Sequence, residues 1–129
     1  MDQRDATDFA ARWERAWNAH DLDALLAHFA ADVSSPRRSP PSCWHDCDGV
    51  IRGRDALRAY WSRALGLIPD LRFAVEGVYA GIDAVVINYR NHAGNGVCEY
   101  LTFDGPLVVS GHATYQTDAA AAASGISRA

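Results

Sequence analysis

Apolar positions change period part-way along the chain, from about 3.6 residues to about 2, and the change predicts two kinds of element. Phe9, Trp13 and Trp17 stand at i, i+4 and i+8, one stripe of a helix over residues 7–18. Asn18-Ala19-His20-Asp21 interrupts it, and Asp21 suits the N-cap of a second helix, in which Leu22, Leu25, Leu26 and Phe29 repeat through Ala30. A third helix follows Gly53, with Asp55 in its first turn and an apolar face of Leu57, Tyr60, Trp61, Ala64 and Leu65. Gly66 and Pro69 stop it. From Leu71 the pattern is that of strands over residues 71–80, 84–92, 97–103 and 107–116. Gly81-Ile82-Asp83, Ala93-Gly94-Asn95-Gly96 and Asp104-Gly105-Pro106 separate them. Short turns between such runs predict an antiparallel meander. Helices first and strands after make the fold class α+β, three N-terminal helices on a mainly antiparallel sheet.

One stretch obeys neither period. Ser34–Asp48 (SSPRRSPPSCWHDCD) carries Pro36, Pro40 and Pro41, two Arg and two Cys, and a loop of that length in so small a domain is either functional or anomalous. From Asp118 onward the Ala run and Ser-Gly-Ile-Ser-Arg show no apolar periodicity and read as a disordered tail. The expected organisation is therefore one domain over residues 1–117, with an atypical loop at 34–48 and a tail at 118–129.

Composition narrows the class of protein. At 129 residues, 49% hydrophobic and 22% charged, the chain suits one soluble domain with a real core. No apolar run approaches the roughly eighteen residues that a membrane-spanning helix needs. Met1-Asp2-Gln3-Arg4-Asp5 lacks the basic-then-apolar order of a secretory signal, so a cytoplasmic location is expected. Twelve Lys+Arg against 16 Asp+Glu give a net charge of -4, without the basic stripe that a phosphate backbone requires. Neither nucleic acid nor a membrane is an expected partner. Three Cys, an odd number, exclude a fully paired disulfide framework.

In order and spacing these elements resemble the SnoaL-like branch of the nuclear-transport-factor-2-like superfamily. The residues carrying the likeness are WERAWNAHDLDALL at 13–26, Phe29-Ala30-Ala31-Asp32-Val33, and Gly53-Arg54-Asp55-Ala56-Leu57-Arg58-Ala59-Tyr60-Trp61. Pro69-Asp70-Leu71-Arg72-Phe73, leading into the sheet, and Leu101-Thr102-Phe103-Asp104-Gly105 complete it, over residues 7–117. The resemblance implies a cone: three helices on a strongly curved sheet, around an apolar pocket, commonly as a homodimer through the sheet. Members include polyketide cyclases, ketosteroid isomerase, epoxide hydrolases and dehydratases, and some without chemistry, so the fold leaves the reaction open. Where relatives continue from Asp-Val into an apolar strand such as Val-Phe-Thr-Ser-Pro, this chain has Ser34-Ser35-Pro36-Arg37-Arg38. Such a strand read one base out of frame gives Ser-Ser-Pro-Arg-Arg; a compensated frameshift and a divergent loop both account for the segment, and the codons of the locus decide.

Candidate chemistry centres on the third and fourth strands of the meander. Val97, Glu99, Leu101 and Phe103 share one strand face. A four-residue loop at Asp104–Leu107 would pair Phe103 with Val108, Leu101 with Ser110, and Glu99 with His112, leaving the last two about 5 Å apart at Cβ. A carboxylate orienting an imidazole is an acid–base unit; the same pair on the outer or dimer face of the sheet would be a solvated structural contact. By the resemblance to ketosteroid isomerase, Glu99 stands where that enzyme keeps a protonated acid, and Trp13 replaces its oxyanion tyrosine. An indole donates a hydrogen bond but cannot act as an acid near neutrality. That enzyme's general base would fall near Pro36 or Arg37, where there is no carboxylate.

Trp13, Trp17, Tyr60, Leu101 and Phe103 are the expected pocket-lining residues, although aromatics at helical spacing also make plain core. Asn88, Arg90 and His92 alternate as a polar strand face, turned to water or a dimer partner. Cys43-Trp44-His45-Asp46-Cys47 lacks the paired spacing of a zinc site, so no metal is expected. Gly-rich phosphate loops, G-x-S-x-G and H-E-x-x-H are missing from the sequence, and no cofactor is expected. Two functions fit. One is cofactor-free acid–base cyclisation, isomerisation or dehydration of a small apolar carbonyl compound by His112 and Glu99. The other is a non-catalytic ligand-binding or dimerisation module.

Overall fold

A computed structural model describes residues 2–36 and 50–117 of the chain. Asp2 caps α1 (Gln3–Asn18), its side chain accepting from the Asp5 amide at 2.8 Å, so the helix starts a turn before the aromatic stripe does. Ala6, Phe9, Ala10, Trp13, Ala16 and Trp17 form the buried face. Asp21 caps α2 (Leu22–Leu26), accepting from the Ala24 amide at 3.1 Å. The helix does not continue to Ala30, because the His28 carbonyl accepts from the Val108 amide at 2.9 Å and Phe29 opens a strand instead.

That strand, β1 (Phe29–Pro36), and the short β2 (Val50–Arg52) are the elements the apolar pattern misses. Ser34, Ser35 and Pro36 pair with Arg52, Ile51 and Val50, so the stretch expected as loop from Ser34 is strand for its first three residues. Neither Ser nor Pro has strand propensity; the partner strand supplies the order, and a proline at the end of a strand is tolerated. Residues 37–48, with Cys43 and Cys47, lie outside the described residues, as do 118–129. Gly53, at φ +93°, turns the chain and donates its amide to the Val33 carbonyl at 2.7 Å before α3 (Arg54–Leu67) begins. Gly66 sits within α3 and does not end it.

The meander follows as β3 (Ala74–Gly81), β4 (Ala84–Arg90), β5 (Gly96–Asp104) and β6 (Leu107–Tyr115). The sheet order is β2-β1-β6-β5-β4-β3, antiparallel throughout except where β1 runs parallel to β6. The helices pack on this mixed sheet, making the protein α+β, but β1 and β2 separate α2 from α3, so the order is not helices first and strands after. Three side chains of α1 and the turn after it fasten it to the start of β3 by hydrogen bonds that a neighbouring strand would otherwise make. Asn18 donates to the Phe73 carbonyl at 2.9 Å and accepts from its amide at 2.7 Å. Glu14 accepts from the Val75 amide at 2.8 Å, and His20 Nε2 meets the Leu71 carbonyl at 2.9 Å. Trp13, Leu25, Leu26, Leu57, Ile87 and Leu101 are among the largest fully buried side chains.

Candidate functional site

Between α1, α3 and the inner face of the sheet lies a cavity of about 600 Å³, within the range of small-ligand sites. Trp13 and Trp17 from α1, Tyr60 from α3 and Leu101 from β5 all line it. Phe103 does not. It lies further along β5, 6% exposed, and packs edge-on against Phe9 at 5.1 Å beneath the N-terminal half of α1. Trp13 stacks on Phe73 at 5.5 Å, and Trp17 meets Trp61 at 5.0 Å, so these aromatics serve as core and cavity wall together.

Glu99 reaches the cavity and His112 does not. Phe103 pairs with Val108 as the pattern predicts, across a turn of only Gly105 and Pro106. One residue later the register shifts: Thr102 pairs with Ser110, which leaves Val109 as a bulge. A one-residue slip exchanges the two faces of the rest of β6. Gly111 and Ala113 consequently face inward beside Leu101 and Glu99, while His112 lies opposite Tyr100, exposed on the outer face. The expected Glu99–His112 unit is not formed.

The partner of Glu99 is instead Tyr89 on β4, whose hydroxyl donates to Oε1 at 3.1 Å. Tyr89 continues the inward row of Val85 and Ile87, 3% exposed and held between Phe73 at 4.5 Å and Trp13 at 5.0 Å. In the sequence its only mark is a hydroxyl in an otherwise aliphatic row, Val85-x-Ile87-x-Tyr89. Burial pushes the Glu99 carboxyl up to about 7, against a smaller downward pull from the Tyr89 hydrogen bond. Burial, and then the charge of Glu99, push the Tyr89 hydroxyl upward, so it stays protonated and acts as donor. Gly111 adjoins the other oxygen: a Cβ there would stand 3.9 Å from Oε2 and 3.0 Å from Leu101 Cδ2. The missing side chain keeps Oε2 clear.

Among the described residues Glu99 is the only acid lining the cavity. Arg63 of α3 and Asn91, His92 and Asn95 of the β4–β5 turn add a polar end. Asn88 and Arg90 do face outward, Arg90 pairing with Glu76 at 3.0 Å, but His92 lies past the end of β4 and borders the cavity. Among the described residues no three His, Cys, Asp or Glu side chains gather as metal ligands, and no helix is long and apolar enough to cross a membrane.

A model of the SnoaL-like domain matches residues 10–124. The chain belongs to the SnoaL-like family. A SnoaL-like protein of unknown function from Burkholderia thailandensis is 37% identical, with a TM-score of 0.83 over 90% of this chain and 98% of its own. The fold recurs at lower identity. A candidate polyketide cyclase from Streptomyces antibioticus is 16% identical, with a TM-score of 0.72 over 86% of this chain and 91% of its own. A candidate ketosteroid isomerase from Kribbella flavida is 15% identical, with a TM-score of 0.70 over 88% and 79%. No curated protein matches the sequence. In this SnoaL-like chain the inward carboxyl of β5 is paired with a tyrosine of β4.

Proposed function

We propose that this SnoaL-like protein binds a small apolar carbonyl compound and moves a proton on it without a cofactor, as an isomerase or cyclase would. The observation that carries the reading is Glu99, a carboxyl pushed up to about 7 beside the aromatic and aliphatic walls of the cavity. A group titrating near the working pH serves as base when ionised and as acid when protonated. Tyr89 fixes Oε1 and leaves Oε2 for the ligand. Protonated Glu99 donates to the substrate carbonyl; ionised Glu99 removes a proton from the carbon beside it. Fold neighbours that include a candidate polyketide cyclase and a candidate ketosteroid isomerase agree with that chemistry.

A second reading, ligand binding without turnover, is favoured by the outward placement of His112, which leaves Glu99 without an imidazole partner. Proton exchange separates the two. In D2O, the methyl protons of 2-acetylnaphthalene should exchange faster with the protein than without it. Glu99→Gln should bind the ketone, because an amide N–H also donates to a carbonyl, yet lose the exchange. Saturable binding with no exchange supports the binding module, and no binding overturns both.

A further inference from the structure

At the polar end of the cavity the β4–β5 turn turns four of its acceptors, the Asn91, Gly94 and Asn95 carbonyls and the Asn91 side-chain oxygen, back on its own chain. The Asn95 carbonyl accepts from the Asn91 amide at 3.0 Å, and the Asn91 carbonyl from the Gly94 amide at 2.9 Å. Arg90 donates to the Gly94 carbonyl at 2.9 Å. The Asn91 side-chain oxygen accepts from both the Ala93 and Asn95 amides, each at 3.0 Å, which fixes the orientation of its amide group. What Asn91 keeps for the cavity is its NH2, a pure donor. Arg63 lines the same cavity from α3, has interactions of its own within the chain, and carries a guanidinium that only donates. Arg63, His92 and Asn95 are exposed as well as cavity-lining, which places this end at the mouth. Among the described residues no Asp or other Glu lines the cavity.

We infer that the mouth is a carboxylate-binding subsite, formed by Arg63 and Asn91 with His92 and Asn95 beside them. The inference rests on the function proposed above and names its substrate class: an apolar, aromatic-sized keto acid. Its carbonyl lies at Glu99 and its carboxylate at the mouth. A single guanidinium with neutral amide donors suits one negative charge, whereas a phosphate dianion draws more cations around it. The apolar walls between the two polar ends take the ring system.

Two probes differing by one group test this: 6-acetyl-2-naphthoic acid and 2-acetylnaphthalene, titrated at pH 8 by intrinsic tryptophan fluorescence. The acid should bind about tenfold or more tighter than the ketone, the scale of one charge-assisted hydrogen bond. Arg63→Gln should weaken the acid about tenfold more than the ketone. Asn91→Asp keeps both turn hydrogen bonds to the side-chain oxygen but replaces the donor with a negative charge. It should reverse the preference, with a melting curve like that of the parent. Equal affinities for the two probes, together with proportional losses in both variants, overturn the subsite while ketone binding and Glu99-dependent exchange keep the proposed function standing. Failure of both probes to bind below about 1 mM overturns the subsite and the proposed function together, and failure of the acid alone overturns only the subsite.

Discussion

Glu99 holds its proton to a pH at which an exposed carboxyl has long lost it, because burial beside Leu101 and Tyr89 removes the water that would solvate the charge. The consequence for stability has an uncommon sign. In the unfolded chain the carboxyl ionises near 4.5, and in the folded protein near 7, so between those values the folded state binds more protons. Stability must therefore fall as pH rises from about 4.5 through about 7, and level off above. Glu99→Gln carries no such group. The advantage of the parent over Glu99→Gln in urea melts should shrink between pH 5 and pH 8.5 by on the order of 1–3 kcal/mol. A difference that stays constant with pH would mean that the carboxyl is solvated. Tyr89→Phe removes the one interaction that pulls the value down. The midpoint of Glu99 should then rise above its parent value, seen as a shift to higher pH in the proton-exchange profile, which climbs as the base ionises.

The bulge at Val109 decides which groups of β6 reach the cavity. Inward and outward residues of β5 are legible from alternation alone, because Val97, Glu99 and Leu101 obey an unbroken period of two. On β6 the same reasoning holds at Val108 and fails after it, since Val109 is an ordinary strand residue and nothing local marks it as the extra one. β1 was hidden differently. Its buried residues Phe29, Ala30 and Val33 stand at i, i+1 and i+4 with Ala31 exposed, a helical pattern, because the strand is irregular between Phe29 and Ser34. The cavity wall of Trp13, Trp17, Tyr60 and Leu101 was legible because helix stripes and strand alternation both survive there. The packing at the bulged strand gives a measurable outcome. Gly111→Val adds a strand-favouring side chain, yet its Cβ would press on Leu101 Cδ2 at 3.0 Å. A loss of about 1–3 kcal/mol in urea denaturation is expected from overpacking. At the other edge, Asn18→Ala strips two hydrogen bonds from the Phe73 backbone, part-buried on both sides, and should cost about 1–3 kcal/mol.

The cavity belongs to no single element. α1 is fastened to β3 through Asn18 and Glu14, α3 closes the opposite wall with Tyr60 and Trp61, and the inward row of β4, β5 and β6 forms the floor. About 600 Å³ stays unfilled because the floor residues at β6 are small, Gly111 and Ala113. A protein whose only purpose was stability would fill that space, since apolar surface removed from water stabilises by roughly 25 cal/mol per Å². Ala113→Leu tests whether the space is kept for a ligand. Ala113 is half-buried and borders the cavity opposite Glu99, so the longer side chain has room to enter and covers apolar wall. The variant should melt no lower than the parent. Its ligand response should differ. With 6-acetyl-2-naphthoic acid at a hundred times its dissociation constant, the parent should gain about 2.7 kcal/mol in stability. Ala113→Leu at the same concentration should gain little, because the added side chain stands where the rings would lie. A variant that melts as the parent does and still responds in full would mean that the ligand sits elsewhere on the molecule.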